Sequence, residues 1–253
     1  MALNPKITDW SGRRVWLVGA SSGIGAALAH ALAGRGAQLA LSARRLASLQ
    51  ALAVPDALVV PADVTDLASL QAARARLLAT WGGIDVVLYL AGDYRPMGAA
   101  DFDLEAAEAM FAVNFTGAAK LAACVLGDLP CGGGLAMVAS VAGYRGLPKA
   151  LAYGPGKAAL IHFAECLQLD LAPRGIGVWL INPGFVRTRL TAQNDFAMPA
   201  LLTAEAAARA TVDGLASGKF EIHYPKRFTR VLKLLALLPD GLYFPLIRRL
   251  TGV

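Results

Sequence analysis

Val15-Trp16-Leu17-Val18-Gly19-Ala20-Ser21-Ser22-Gly23-Ile24-Gly25-Ala26-Ala27-Leu28 is the stretch that decides how this chain is read. A short apolar run suited to a buried strand enters a glycine-rich turn. The turn leads straight into alanine and leucine at helical spacing. Gly19, Gly23 and Gly25 permit a tight turn and a close approach to the backbone. The first N–H groups of the helix and the positive end of its dipole then attract an anion such as a pyrophosphate. The spacing is G-x-x-x-G-x-G rather than the commoner G-x-G-x-x-G. The plain alternative is a strand–helix turn that is merely rich in glycine.

The same alternation continues outward. Strand-like runs fall at Val15–Gly19, Gln38–Ser42, Leu58–Ala62, Asp85–Ala91, Leu135–Ser140 and Gly177–Asn182. Helical stretches lie between them at 24–35, 44–53, 66–81, 104–128 and 153–172. Gly34-Arg35-Gly36, Trp81-Gly82-Gly83 and Pro173-Arg174-Gly175 each close a helix just before a strand. Thr203 caps a further helix to about Ser217, and a last strand runs from Lys219 to Tyr224. Continuous apolar strands separated by helices predict a doubly wound parallel sheet of about seven strands in a three-layer α/β/α sandwich of Rossmann type. We read residues 1–253 as one domain, with a lid region at 189–217 and an apolar, basic extension at 226–253.

Composition sets the outer bounds. The chain has 253 residues, 56% hydrophobic and 17% charged, which excludes disorder. The net charge is +6, but the basic residues are scattered until the last thirty positions, so a nucleic-acid groove is not the reading. Cys124, Cys131 and Cys166 are odd in number and lack metal spacing, which points to reduced thiols. His30, His162 and His223 are isolated and suggest no metal site. No apolar h-region appears in Met1 to Trp10, and Lys233, Pro239 and Pro245 interrupt the apolar tail. The expectation is therefore a cytoplasmic protein without a membrane span.

The glycine pattern and its setting resemble the short-chain dehydrogenase/reductase superfamily over roughly residues 10 to 225. That family opens T-G-x-x-x-G-x-G; here Val18 stands in place of the threonine. The resemblance implies a nicotinamide dinucleotide held by Gly19, Ser21, Ser22, Gly23, Ile24 and Gly25. The second strand ends Leu41-Ser42-Ala43-Arg44-Arg45. It lacks the carboxylate that bonds a free ribose 2′-hydroxyl and carries two guanidiniums that suit a 2′-phosphate. This predicts NADP(H) over NAD(H), with Arg44 as main clamp, Arg45 secondary and Ser42 a further donor; otherwise the pair is a solvated helix start. Asp63-Val64 resembles the family's pair beside the adenine, or Asp63 is a loop or N-cap residue. Ala91-Gly92 is expected beside the cofactor ribose. The family reads N-N-A-G there, whereas this chain reads Tyr89-Leu90-Ala91-Gly92, so some usual hydrogen bonds are replaced or absent.

Tyr153 and Lys157 are four residues apart at a helix start and share one face. Pro155 is tolerable in a first turn. A cation ~4 Å from the phenol at an effective dielectric of ~20 contributes ~4 kcal/mol, which with the help of an oxidised nicotinamide ring brings the phenol pKa towards neutrality. Such a pair is common by chance, but it follows a strand ending in Ser140, at the sheet edge where ligands of open α/β folds sit. The resemblance implies that Tyr153 exchanges the proton, Ser140 holds the substrate oxygen, and Lys157 bonds the ribose. Asn114, inside an apolar helix, either kinks that helix to support a proton relay or is a bonded core amide. Pro183, Gly184, Val186 and Thr188 match the segment that holds the carboxamide; the prosaic reading is a Pro-Gly turn with a cap at Thr188.

Residues 189–202 form the variable lid of that family. Phe196, Met198, Leu201 and Leu202 lie there among Gln193, Asn194 and Asp195. With Tyr94, Met97, Tyr144, Leu147 and Phe185 they predict a mostly apolar pocket for a carbonyl or alcohol, or else they pack on the lid helix. The tail carries Arg227, Arg230, Lys233, Arg248 and Arg249 among Leu, Phe, Tyr and Ile, as two amphipathic helices broken at Pro239. Three uses fit it: peripheral membrane contact, packing on the lid, or packing on another subunit. The resemblance also implies a homodimer or homotetramer through 104–128 and 153–172. The competing functional classes are a dinucleotide-binding sensor without catalysis and a lipid-surface protein. The intact Ser140, Tyr153 and Lys157 set favours an NADP(H)-dependent oxidoreductase.

Overall fold

Strand β1 (Arg14–Val18) shows why the sheet is covered on both faces. Trp16 and Val18 enter one hydrophobic cluster, while Val15 and Leu17 enter another. This is the two-residue period of a strand with two buried faces. Strand β4 (Val86–Tyr89) divides likewise, Val87 and Tyr89 against Val86 and Leu88. The computed structural model describes residues 2–194 and 196–252.

The remaining strands are β2 (Gln38–Ser42), β3 (Leu58–Val59), β5 (Gly134–Val138), β6 (Gly177–Pro183) and β7 (Glu221–Tyr224). They form one parallel sheet in the order β3-β2-β1-β4-β5-β6-β7. The strand order reverses between β1 and β4, which is where such sheets bind ligands. Helices α3 (Leu67–Trp81), α5 (Gly117–Val125) and α6 (Tyr153–Leu171) cover one face. Helices α1 (Gly23–Ala33) and α7 (Ala204–Ser217), with Leu49 of the short α2 (Leu46–Gln50), cover the other. Thr203 caps α7 by accepting from Ala206 N at 3.2 Å. The tail forms α8 (Lys226–Ala236) and α9 (Asp240–Thr251), separated around Pro239. Among the described residues no helix is long and apolar enough to cross a membrane.

The helix expected over 104–128 is not continuous. It consists of α4 (Leu104–Phe111), a π turn over Ala112–Thr116, and α5. Two polar groups displace the regular ladder there. The Tyr89 hydroxyl donates to the Val113 carbonyl, and the Asn114 amide turns inward. Gly117 makes room for Tyr89: a Cβ at that position would lie 2.6 Å from the phenolic oxygen. The strand after α2 is also shorter than expected, two residues instead of five.

Candidate active site

The glycine loop is held by close backbone contacts. Gly19 has φ +97°, and a Cβ on it would lie 2.3 Å from the Ala91 nitrogen. A Cβ on Gly25 would lie 2.3 Å from the Gly19 carbonyl oxygen. Side chains at either position would push the loop off β4 or off α1. Ser22 takes the N-cap position of α1 but makes no side-chain bond to the helix, so the first-turn N–H groups keep their capacity for an anion. Gly19, Ser21, Ser22, Gly23, Ile24 and Gly25 all line one cleft of ≈ 1610 Å³. The dinucleotide implied by the fold therefore finds a fitting cradle in these residues.

Arg44 and Arg45 stand exposed on the wall of the same cleft, with Asp63, Val64, Ala91 and Gly92. Burial pushes the Asp63 carboxyl up, but bonds from Thr65 and the charges of Arg44 and Lys120 outweigh it and hold the pKa low. Ser42 is a correction. Its side chain is fully buried, accepts from Trp16 Nε1 at 2.8 Å and donates to the Val60 carbonyl at 2.6 Å, so it has no hydroxyl left for a phosphate. Its contribution is its carbonyl, which accepts from Gly19 N at 2.7 Å and fixes the loop to β2.

Ser140, Tyr153 and Lys157 line the cleft beyond the ends of β4 and β5. Ser140 follows β5 and accepts from Ala142 N at 3.1 Å. Tyr153 opens α6, and Tyr94 meets its ring edge-on at 4.9 Å between centroids. Lys157 is buried; its ammonium donates to the Val138 carbonyl at 2.9 Å and lies 5.7 Å from the Tyr153 ring centroid. Burial brings Lys157 down to about 7. Burial likewise pushes Tyr153 up to about 12, although its bond with Ser140 pulls the other way. In the protein alone, desolvation thus outweighs the attraction expected between the two groups.

Asn114 combines the two features expected of it, an interrupted helix and a bonded amide. It is fully buried and not on the cleft wall. Its Nδ2 donates to the Asp93 carbonyl at 2.7 Å and its Oδ1 accepts from Asp93 N at 3.1 Å. It therefore acts on the site by pinning the backbone beside Gly92. A Cβ on Gly92 would meet Asn114 Oδ1 at 3.4 Å and Lys157 Nζ at 3.7 Å.

The far end of the cleft contains Tyr94, Leu147, Phe185 and Phe196 from the expected substrate set, with Pro183, Gly184, Val186 and Thr188 nearby. Thr188 packs on the glycine loop: a Cβ on Gly23 would lie 3.0 Å from its methyl. Five expectations fail; two are Leu201 and Leu202, neither of which lines the cleft, and Leu202 instead packs against the cluster that contains the α7 residues, the alternative expected for it. Tyr144 leaves the cleft because its hydroxyl donates to Glu221 Oε1 at 2.5 Å. Met198 is not on the wall; its sulfur accepts from Asn194 Nδ2 at 3.2 Å. Met97 is buried with Met110 and Ala152 in a separate small cluster. Asp195 lies outside the described residues.

Sequence reading missed two groups. The first is the cleft wall supplied by α8 and α9, including Phe228, Leu232, Leu235 and Ile247. The tail packs on the loop after β5, on Phe185 and on Glu221, and lines the cleft together with the lid. The second is Glu221, which takes bonds from Tyr144, Asn182 and Lys233. A carboxylate between Phe220 and Ile222 at the start of the terminal strand was the available signal.

The model of the short chain dehydrogenase family matches residues 13–198. An uncharacterized oxidoreductase of Myxococcus xanthus (strain DK1622) is 36% identical over 253 residues, covering 96% of this chain and 100% of that protein. The human dehydrogenase/reductase SDR family member 7 is 33% identical over 204 residues, 72% of this chain and 60% of that protein. A short-chain dehydrogenase/reductase from Serratia marcescens BCRC 10948 superposes with a TM-score of 0.75 at 26% identity, covering 85% of this chain and 97% of that one. One from Burkholderia phymatum, solved in complex with NAD, shares the fold at a TM-score of 0.81 and 23% identity, over 89% of this chain and 93% of that one. The chain belongs to the short-chain dehydrogenase/reductase family of oxidoreductases.

Proposed function

We propose that the protein is an NADP(H)-dependent oxidoreductase that interconverts a carbonyl and an alcohol on a largely apolar substrate. One observation carries this reading: Ser140, Tyr153 and Lys157 share a cleft with the glycine loop at the start of α1. When bound, the dinucleotide supplies or takes the hydride. The loop and the α1 N-terminus hold its diphosphate, and Arg44 with Arg45 holds a 2′-phosphate. Asp63 and Val64 flank the adenine, Ala91 and Gly92 the ribose, and Val186 and Thr188 the carboxamide. In the reducing direction Ser140 donates to the substrate oxygen. Tyr153 then gives that oxygen its proton as the carbon accepts hydride, leaving a phenolate. The phenolate draws Lys157 back to its charged form, and the cation in turn stabilises the phenolate.

Tyr153→Phe is expected to lower turnover by at least ~10²-fold and to leave NADPH affinity nearly unchanged. Equal turnover in that variant, measured by nicotinamide absorbance over a carbonyl and alcohol panel, refutes the assignment. NADPH binding without turnover of any panel member by the wild type favours the sensor instead. Arg44→Asp is expected to weaken NADPH at least ~10-fold more than NADH. Unchanged dissociation constants for both nucleotides remove Arg44 from the site. Homo-oligomeric assembly through α4, α5 and α6 is also proposed; Leu104, Phe111 and Leu169 are exposed on those helices.

A further inference from the structure

We propose that α8 and α9 build a hydrocarbon subsite that receives an unbranched aliphatic chain of the substrate, and that Arg145 is the positioning residue that fastens it. The inference rests on the oxidoreductase reading, because it assigns the chain to the molecule whose oxygen meets Ser140 and Tyr153.

The cleft is continuous from those two residues to the tail, and the tail side of it is apolar. Phe228, Val231, Leu232, Leu235, Ile247 and Leu250 face it. The two helices also carry Lys226, Arg227, Arg230, Lys233, Arg248 and Arg249, yet none of these cations lies on the cleft wall. Lys233 is drawn aside to Glu221. None of the cations of α8 and α9 lines the cleft, so its tail side suits methylene groups; Lys149 and Arg189, which do line it, belong to the loop after β5 and to the lid. Phe228 extends an aromatic stack on Phe185, at 5.6 Å between centroids, and Phe185 in turn meets Phe196 at 6.0 Å. Aromatic contact thus runs from lid to tail.

This wall is tied to the loop that begins at Ser140. The Arg145 guanidinium donates to the Ala236 carbonyl at 3.2 Å and to the Leu238 carbonyl, and pairs with Asp240. It also lies 3.9 Å from the Tyr243 ring centroid, and the Tyr243 hydroxyl donates to the Gly146 carbonyl at 2.7 Å. Arg145 so occupies the break between α8 and α9. The next loop residues, Leu147 and Pro148, are themselves on the cleft wall. The hydrocarbon wall is therefore held in fixed register with the hydroxyl that holds the substrate oxygen.

The test uses the full-length protein with NADPH and unbranched aldehydes from butanal to dodecanal, each below its solubility limit. Each methylene that becomes buried is worth up to about fourfold in kcat/KM. We expect a rise of at least ~10-fold across the series, carried by KM. Leu235→Trp fills the wall and brings the dodecanal-to-butanal ratio towards one. Leu234→Trp, on the exposed face of the same helix, keeps the ratio and controls for damage to α8. Arg145→Ala lowers the ratio through the KM for dodecanal rather than through kcat. Calorimetric binding of dodecan-1-ol to the nucleotide-free protein gives a readout without turnover, and it is expected to be lost in Leu235→Trp. Equal kcat/KM across the series, or no binding of dodecan-1-ol, overturns the subsite. Dodecan-1-ol binding that Leu235→Trp abolishes, with no aldehyde reduced, keeps the hydrocarbon site and overturns its assignment to a substrate of this reduction.

Discussion

At the residue scale, the chemistry of Lys157 follows from its burial. It is 3% exposed, and its ammonium donates to the Val138 carbonyl. Loss of hydration brings its pKa from 10.5 to about 7. Between those values the unfolded chain binds more protons than the folded one, so this group makes stability rise with pH. Below about 7 the fold carries the full cost of the buried cation. Lys157→Met is expected to raise the melting temperature at pH 7, by up to a few kcal/mol of stability on the scale of ~1.4 kcal/mol per pKa unit, less the lost bond. The gain shrinks as the pH approaches 10.5. Thermal unfolding of the nucleotide-free proteins at several pH values checks this, and parallel curves exclude it. The spacing of Tyr153 and Lys157 was readable in the sequence. Their environment was not, because desolvation depends on which elements pack around them.

At the element scale, the π turn between α4 and α5 shows a substitution and its compensation. Tyr89 stands where the family has asparagine, and its hydroxyl reaches the Val113 carbonyl. Asn114, within the turn, binds both the N–H and the carbonyl of Asp93. The helix gives up ladder bonds to serve the loop after β4. Tyr89→Phe leaves the Val113 carbonyl without that donor and is expected to cost ~1–3 kcal/mol. Denaturant unfolding measures it; a variant within ~0.3 kcal/mol of wild type shows that the carbonyl finds another partner. The missing asparagines were legible at positions 89 and 90. What replaced them was not, because the donor and acceptor are 24 residues apart and meet only where β4 packs against the π turn.

At the scale of the whole molecule, Glu221 joins parts that are remote in sequence. It takes bonds from Tyr144 in the loop after Ser140, Asn182 in β6 and Lys233 in α8. Burial pushes its carboxyl up, but the bonds from Lys233, Tyr144 and Asn182 outweigh burial and hold the pKa low. A depressed carboxylate stabilises the fold above its unfolded pKa and loses that contribution as the pH falls through the folded value. Glu221→Gln is expected to lower stability at pH 7 by roughly 1–3 kcal/mol. The gap to wild type closes as the pH drops below the ordinary carboxylate range, which thermal melts at pH 7 and pH 3 compare. A constant gap assigns the loss to packing instead of charge.

Local pattern alone determined the strand–turn–helix alternation, the parallel sheet, the glycine loop, and the tyrosine and lysine on one turn of helix. Each depends on neighbours within a few residues: the two-residue period of buried strands, the 3.6-residue period of helices, and the backbone demands of a tight turn. Tertiary structure alone decided that Ser42 is spent in the core, that Tyr144 turns to Glu221, and that the tail lines the far end of the cleft. Side-chain partners and desolvation are set by which surfaces meet across tens of residues, and no short stretch of sequence encodes that meeting.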